Sequence, residues 1–210
     1  MTKNALDRLE ISDVSALAFP VEITEPRNID KEAGSDAVHQ GVMIEADPLP
    51  SKGMNELADT SLVLVLDQVT DPHNVGAVMR SAVAFGAGAL ITTNRHSPQE
   101  SGVLAKAASG ALELIPHLEV RNLAESLAEL SALGFQTIGL DSEGNVELEQ
   151  SMSGPKIALV LGAEGKGLRQ KTRETVSTLA RIDMPGVIKS LNVSNAAALS
   201  LYVAQRHLTK

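Results

Sequence analysis

Polar and glycine residues are concentrated in three segments of this 210-residue sequence, each directly after a short apolar run. The segments read DQVTDPHNVGAVMR at 67–80, GAEGKGLR at 162–169 and IDMPGVIKSLNVSN at 182–195. Open α/β sheets bind ligands at the carboxyl ends of their strands, so we expect the three segments to form one site. Their amide, hydroxyl and basic groups are suited to holding a polar or anionic ligand.

The first segment carries an arginine that turn chemistry does not explain. Asp71-Pro72 predicts a turn, and Asn74 is expected to cap a helix over about 75–85. Arg80 lies about 9 Å further along that helix, at 1.5 Å per residue. It either extends its charge into solvent beside apolar neighbours or binds an anion.

The second segment is glycine-rich but matches neither of the common nucleotide-binding motifs. A Walker A motif needs Ser or Thr after its Gly-Lys pair, whereas Gly167 follows Lys166. No Gly-x-Gly-x-x-Gly run opens a predicted helix, so the dinucleotide fingerprint is missing as well. The glycines instead allow the backbone to approach a ligand closely. The basic residues of this region form either a solvated helix face or an anion site: Lys166, Arg169, Lys171 and Arg173.

The third segment has more polar residues than a helix cap requires. Between a predicted strand and an alanine-rich helix lie Ser190, Asn192, Ser194 and Asn195. One of them is expected to be the N-cap of that helix. The others are available to bind a polar ligand, whose identity the composition does not specify.

These segments are positioned by strands and helices that alternate from residue 61 onward, which is typical of βαβ units around a mostly parallel sheet. Apolar runs predict strands at 62–67, 88–92, 135–140, 157–161 and 179–182. Capping residues and apolar stripes predict helices at about 75–85, from Ser97 onward, at 123–133 with Asn122 as cap, and at 194–206. Gly86 and Gly134 are expected just past two of the helix ends.

Composition excludes several classes of protein. The sequence has no cysteine, which excludes disulfides and thiolate metal sites and favours a reducing, cytoplasmic location. No apolar run is long enough to span a bilayer, and no metal site is expected. The formal charge of −8 argues against nucleic acid, but residues 151–210 carry 9 basic and 3 acidic side chains. A basic segment on an acidic body indicates an anionic partner.

The three segments resemble the motifs of the SpoU (TrmH) family of RNA ribose 2′-O-methyltransferases, within the SPOUT superfamily. The resemblance covers about 38–206 and is nearest to the group that methylates a guanosine of 23S rRNA. It rests on His39-Gln40-Gly41, DPHNVGAVMRSA at 71–82, LGAEGKGLR at 161–169 and SLNVSNAAA at 190–198. It implies a mostly parallel α/β sheet flanked by helices with a C-terminal trefoil knot, and a homodimer formed through the knot region.

The resemblance also implies roles for individual residues. The implied catalytic set is Asn74, Arg80, Glu164, Ser190 and Asn192. The implied S-adenosylmethionine site consists of Leu161, Gly162, Gly165, Ile182, Met184, Leu191 and Asn192. The RNA-binding candidates are Arg80, Lys166, Arg169, Lys171 and Arg173. Asp183, where relatives usually have proline, and Lys189, where a small residue is common, depart from the pattern.

Several interpretations stay open at this point. A guanidinium stays protonated in proteins, so we expect Arg80 to grip a phosphate and stabilise the developing alkoxide, with phosphate or water taking the proton. Glu164 has an alternative role as the ion-pair partner of Lys166 or Arg169, and Asn74 has one as a simple helix cap. The alternatives to 23S rRNA methylation are transfer RNA ribose methylation and a non-catalytic RNA-binding or ribosome assembly factor.

The domain organisation follows from the same resemblance. Residues 61–210 are expected to be the SPOUT catalytic methyltransferase domain. Residues 1–60 are expected to be a remnant of an N-terminal RNA-binding domain plus a linker, because ALDRLE at 5–10 resembles the end of that domain. The sequence is accordingly interpreted as a truncated or short form.

Overall fold

The computed structural model describes residues 1–34, 37–50 and 52–209 and divides into two compact units, 1–48 and 49–210. The boundary between the two units, after residue 48, comes earlier in the chain than the domain boundary predicted at residue 60. In the N-terminal unit, Thr2 caps helix α1 (Lys3–Arg8), and helix α2 (Pro26–Ala33) begins with a proline. No helix in the described ranges is long and apolar enough to cross a membrane.

The His39-Gln40-Gly41 motif forms a turn in the N-terminal unit. Gln40 and Gly41 both have positive φ, and the Gly41 amide donates to Nδ1 of His39 at 2.9 Å. Nε2 of His39 lies 3.1 Å from a carboxylate oxygen of Asp30 on α2. The motif therefore has a local structural role in this unit.

The second unit is an α/β fold. Its elements are β1 (Leu62–Asp67), α3 (Pro72–Ala84), β2 (Ala89–Thr93), α4 (Gly102–Ala108), β3 (His117–Val120), α5 (Leu123–Ala132), β4 (Gln136–Leu140), β5 (Val146–Glu147), α6 (Leu148–Ser151), β6 (Ile157–Gly162), α7 (Gln170–Thr175), β7 (Thr178–Arg181) and α8 (Val193–Leu208). Short 3₁₀ turns occur at Val14–Ala16 and Met54–Leu57.

The seven strands form a parallel sheet in the order β3-β2-β1-β6-β4-β7-β5. β1 and β6 run side by side over their full length, from Leu62 opposite Ile157 to Asp67 opposite Gly162. Parallel strands end at a common edge, so the chain segments that follow β1, β6 and β7 all start there. This topology brings together the three polar segments of the sequence.

The core lies on both faces of the sheet. In β1, Leu62, Leu64 and Leu66 pack on one face with apolar residues of α3, α4 and α8. Val63 and Val65 pack on the other face with residues of α5. Every residue of β1 is buried, which explains why its first five residues are all apolar rather than alternating.

Most of the predicted elements of the second unit are confirmed, and the differences have local causes. Asn122 caps α5, and Gly86 and Gly134 have the expected positive φ. The helix predicted from Ser97 is wrong, because α4 begins at Gly102 with Ser101 as its cap. Asn74 is not the cap of α3: Asp71 accepts from the amide of His73 at 2.8 Å. The strands β3 and β5 were not predicted.

One histidine on β3 is held by a hydrogen bond to the neighbouring strand. His117 is half-buried, and its Nε2 lies 2.9 Å from the hydroxyl of Thr92 on β2. Burial lowers the pKa of His117 below its ordinary value, while the charges of Glu119 and Glu100 act in the opposite direction. The folded state therefore favours the neutral ring.

This lowered pKa predicts a loss of stability in acid. The unfolded chain binds a proton at His117 below about pH 6.5, whereas the folded chain resists it, so stability falls as pH drops through that range. In urea titrations at pH 7.5 and 5.5, we expect His117→Gln to lose less unfolding free energy than the parent. His96→Gln, which changes an exposed histidine, should behave as the parent. Equal losses in all three proteins would contradict the argument.

Candidate active site at the carboxyl edge of the sheet

The loop after β6 is shaped by three glycines. The Gly167 amide donates to the Ala163 carbonyl at 2.8 Å, which closes the loop on itself. Gly165 and Gly167 have φ of +75° and +64°, where other residues are strained. A Cβ on Gly162 would lie 2.1 Å from the carbonyl carbon of Gly167. The loop therefore needs glycine at 162 for packing and at 165 and 167 for its conformation.

An ion pair between a buried carboxylate and an exposed arginine holds the far end of this loop. Asp67, the last residue of β1, is fully buried, and one of its carboxylate oxygens accepts from Nε of Arg169 at 2.6 Å. The other oxygen accepts from the backbone amide of Arg169 at 3.0 Å. Both carboxylate oxygens are thus paired, as a buried charge requires. Sequence analysis missed Asp67, for which the available signal was an acidic residue at the end of an apolar strand.

Glu164, within the loop, links two helices. A single oxygen, Oε1, accepts from Nδ2 of Asn74 at 3.1 Å, Nδ2 of Asn192 at 2.7 Å and the Val193 amide at 3.2 Å. Asn192 also donates to Oδ1 of Asn74 at 2.9 Å. The alternative pairing of Glu164 with Lys166 or Arg169 is wrong, because Arg169 pairs with Asp67 and the Glu164 carboxylate accepts from amides. Asn74, Glu164 and Asn192 form a closed amide–carboxylate network.

Asn192 has a second role as the N-cap of α8. Its Oδ1 accepts from the amide of Ser194 at 2.8 Å and from the Ser194 hydroxyl at 2.6 Å. Its Nδ2 is engaged with Asn74 and Glu164, so both ends of the amide have fixed partners. The expectation that one polar residue of this segment caps the helix is confirmed. The orientation of the Asn192 side chain is therefore determined from both sides.

Two of the predicted catalytic residues lie outside this network. Arg80 is an exposed residue of α3, and Ser190 is an exposed residue of the loop before α8. Within the described ranges, neither side chain forms a hydrogen bond or ion pair. The structure thus brings together three of the five predicted catalytic residues and leaves Arg80 and Ser190 accessible to a ligand.

In the loop between β7 and α8, the two residues that depart from the family pattern, Asp183 and Lys189, both form hydrogen bonds. Asp183 accepts from Nε of Arg181 at 2.9 Å. Lys189 donates from Nζ to the Met184 carbonyl, 2.5 Å away. The charge of Asp183 is thereby paired, and both departures form contacts that hold this loop.

The basic residues after β6 fall into two groups. Arg169 pairs with Asp67, and Arg173 pairs with Asp141 and lies 3.7 Å from Glu143. Lys166 and Lys171 are exposed. Only the two lysines are therefore available to a ligand without breaking an ion pair. No group of histidine and acidic residues suited to a metal ion occurs in the described part of the chain.

A glycine-shaped loop and an amide–carboxylate network lie at the carboxyl edge of this parallel sheet, which is the edge where open α/β proteins bind their ligands. The sequence profile of the SpoU rRNA Methylase family matches residues 61–202. The chain belongs to this family.

Individual relatives agree with this assignment. The chain is 45% identical over 179 residues to a 23S rRNA (guanosine-2′-O-)-methyltransferase RlmB of Ralstonia nicotianae, which covers 83% of this chain and 72% of that protein. It is 42% identical to the protein of the same name from Pseudomonas syringae, over 89% of this chain and 77% of that protein.

A solved structure has the same fold. It is the SpoU methyltransferase AviRb from Streptomyces viridochromogenes in complex with the cofactor AdoMet, with a TM-score of 0.68 and 25% identity. The match covers 76% of this chain and 66% of AviRb. This chain therefore spans slightly less than two thirds of that solved chain.

The buried carboxylate of Asp67 predicts a large effect for a conservative change. Asp67→Asn would place an amide hydrogen against a donor of Arg169 in a fully buried position, and we expect it to lower the unfolding free energy by about 2 kcal/mol. Asp183→Asn removes an exposed, paired carboxylate and should cost less than about 1 kcal/mol. Chemical denaturation measures both. A loss at Asp67 no larger than that at Asp183 would refute the structural role given to this pair.

Proposed function

We propose that this chain transfers a methyl group from S-adenosylmethionine to the ribose 2′-hydroxyl of a guanosine in 23S rRNA. The observation that carries the proposal is the Asn74–Glu164–Asn192 network at the carboxyl edge of a SpoU family fold. The curated relatives at 45% and 42% identity are named as 23S rRNA guanosine methyltransferases. The AviRb structure contains AdoMet.

The loops of this edge fit such a cofactor. Gly165 and Gly167 have positive φ and open space where a side chain would stand, so the loop backbone at these two positions is accessible to a ligand, while Gly162 packs against Gly167 and keeps the loop closed. We assign cofactor binding to Leu161, Gly162, Gly165, Ile182, Met184, Leu191 and Asn192. When bound, the cofactor supplies an electrophilic methyl group on a sulfonium.

The protein's own residues position the acceptor. Glu164 fixes the amide groups of Asn74 and Asn192 by hydrogen bonds. These side chains are therefore already ordered, which lowers the entropic cost of aligning the acceptor ribose with the cofactor. Arg80, exposed and without an acidic partner among the described residues, grips a phosphate next to the reacting ribose and stabilises the developing alkoxide. The proton of the hydroxyl passes to that phosphate or to water. Ser190 lies in the loop before α8, where its hydroxyl is available to orient the nucleotide.

The partners and organisation complete the proposal. RNA contacts beyond Arg80 are assigned first to the exposed Lys166 and Lys171, and then to Arg169 and Arg173, which already have acidic partners. A C-terminal trefoil knot and a homodimer through the knot region are proposed from family membership. Exposed apolar side chains in and near this region support a dimer: Val187, Ile188, Leu199 and Tyr202. An rRNA substrate implies a cytoplasmic location, with 61–210 as the catalytic domain and 1–60 contributing to RNA binding.

The direct test is methylation of defined RNA. Purified chain is incubated with tritiated S-adenosylmethionine and either unmodified 23S rRNA transcript or unmodified transfer RNA, and the labelled nucleotide is mapped. We expect label at one guanosine of 23S rRNA and none when that position carries a 2′-deoxyribose, which separates ribose from base methylation. Label on transfer RNA alone would establish the alternative substrate. RNA binding without label on either RNA would favour a non-catalytic role.

Replacing Arg80 tests the role given to its guanidinium. Arg80→Lys keeps the charge but loses the two-pronged donor geometry, so we expect the single-turnover methylation rate to fall about 100-fold, as when one transition-state donor is removed. Cofactor binding measured by calorimetry should be unchanged. Arg206→Lys, at the far end of α8, is the matched control. If Arg80→Lys retained a rate close to that of the parent, the proposed binding of a phosphate by the Arg80 guanidinium would be wrong.

A further inference from the structure

A cavity of about 510 Å³ lies at the same edge of the sheet, outside the three polar segments. Its lining residues are Asn94, Arg95 and Arg121. Asn94 and Arg95 directly follow β2, and Arg121 directly follows β3. No role has been given to these residues in the site described above.

The backbone beneath the cavity is fixed by the sheet. Thr93 and Val120, the last residues of β2 and β3, stand opposite each other in the ladder. The Asn94 amide donates to the Val120 carbonyl at 3.1 Å, which continues the ladder by one step. The His96 amide donates to the Thr93 carbonyl at 3.3 Å and closes the turn that carries Arg95. The two arginines therefore project from ordered backbone at neighbouring strand ends.

The charge distribution makes this pair unusual. Residues 61–150 contain 4 basic and 11 acidic side chains, and two of the four basic residues line this one cavity. Arg95 and Arg121 are exposed, and in the described ranges neither guanidinium has a hydrogen bond or ion pair. Two acidic residues belong to this region, Glu119 and Glu100, and their charges raise the pKa of His117. Glu100 also accepts a hydrogen bond from the Leu49 amide at 3.3 Å.

We propose that Arg95 and Arg121 bind backbone phosphates of the RNA beside the nucleotide that is methylated. Guanidinium groups bind phosphate oxygens through two parallel hydrogen bonds, and Asn94 adds an amide donor. Neighbouring strands lie about 4.8 Å apart, so the ends of β2 and β3 lie about 5 and 10 Å from the end of β1. That distance is on the scale of one or two nucleotides. The inference rests on the proposed function, because it places these phosphates relative to the reacting ribose.

The test is the salt dependence of RNA binding by the full chain. The probe is a 23S rRNA fragment containing the mapped guanosine, and its dissociation constant is measured at several salt concentrations. For the double variant Arg95→Gln/Arg121→Gln we expect at least tenfold weaker binding and a salt slope smaller by about 2, one for each lost phosphate contact. Cofactor binding and thermal unfolding should match the parent, because both side chains are exposed.

Arg206→Gln is the matched control, since it removes one exposed positive charge about 21 Å along α8 from Asn192. Parental affinity and slope in the double variant would overturn the inference, as would an equal loss per charge in Arg206→Gln. Arg95→Lys/Arg121→Lys, which keeps the charges, should recover most of the slope and part of the affinity. If the parent binds the fragment without methylating it, the proposed function fails, and the same comparison of variants still decides the inference. Binding of inorganic phosphate with no effect on RNA affinity would also count against it.

Discussion

The fully buried carboxylate of Asp67 is the constraint on which the site depends. A charge at the end of a central strand is costly to bury unless both oxygens are paired. Arg169 meets this requirement with its backbone amide and its Nε, so the chain that leaves β6 has to return to β1 within a few residues. The loop at 163–168 can be that short only because glycines at 165 and 167 accept positive φ. The position of Glu164 follows from this closure.

Glu164 in turn determines how two helices approach the sheet. Its Oε1 accepts from a side chain in the first turn of α3 and from both the cap and the first amide of α8. Helix N-termini carry partial positive charge, so a carboxylate between two of them is stabilised without a cationic partner. The arrangement leaves the exposed lysines and Arg80 unneutralised by Glu164. A negative charge in a site proposed for RNA is therefore compatible with binding an anionic ligand.

The sequence predicted the central part of this fold well because burial decides it locally. The predicted bounds of β1 agree with the structure, and the cap Asn122 was recognisable because a polar residue precedes an apolar stripe. For α8 the cap was predicted only as one of four polar residues. The sequence did not identify the N-cap correctly where two polar residues near a helix start are both suited to that role. Asp71 and Asn74 both suit an N-cap, and Ser97 and Ser101 both precede helix-forming residues. β3 and β5 are short and half-buried, so pairing with neighbours rather than their composition makes them strands.

The site was predictable only in part. Spacing indicated that three segments meet at one edge, but the contact between Asn74 and Glu164 joins residues 90 positions apart, and the choice of these residues came from family resemblance. The run of basic residues after the glycine-rich segment also drew attention to Arg169 and Arg173, which have acidic partners in the structure. Arg95 and Arg121 carried no recognisable signal, because each is a single basic residue in an acidic stretch. Only the parallel register of β2 and β3 makes them neighbours.

The net charge of −8 is a poor guide to the ligand for the same reason. At physiological ionic strength the Debye length is about 8 Å, so an anion at the carboxyl edge is affected mainly by the charges around that edge. The acidic residues near it are mostly engaged: Asp67 with Arg169, Asp141 with Arg173, and Glu164 with amides. The unpaired cations Arg95 and Arg121 directly follow the ends of the adjacent strands β2 and β3, whereas Arg80 lies further along helix α3. Parallel topology therefore brings two unpaired arginines together at one edge of a chain that has an excess of acidic residues.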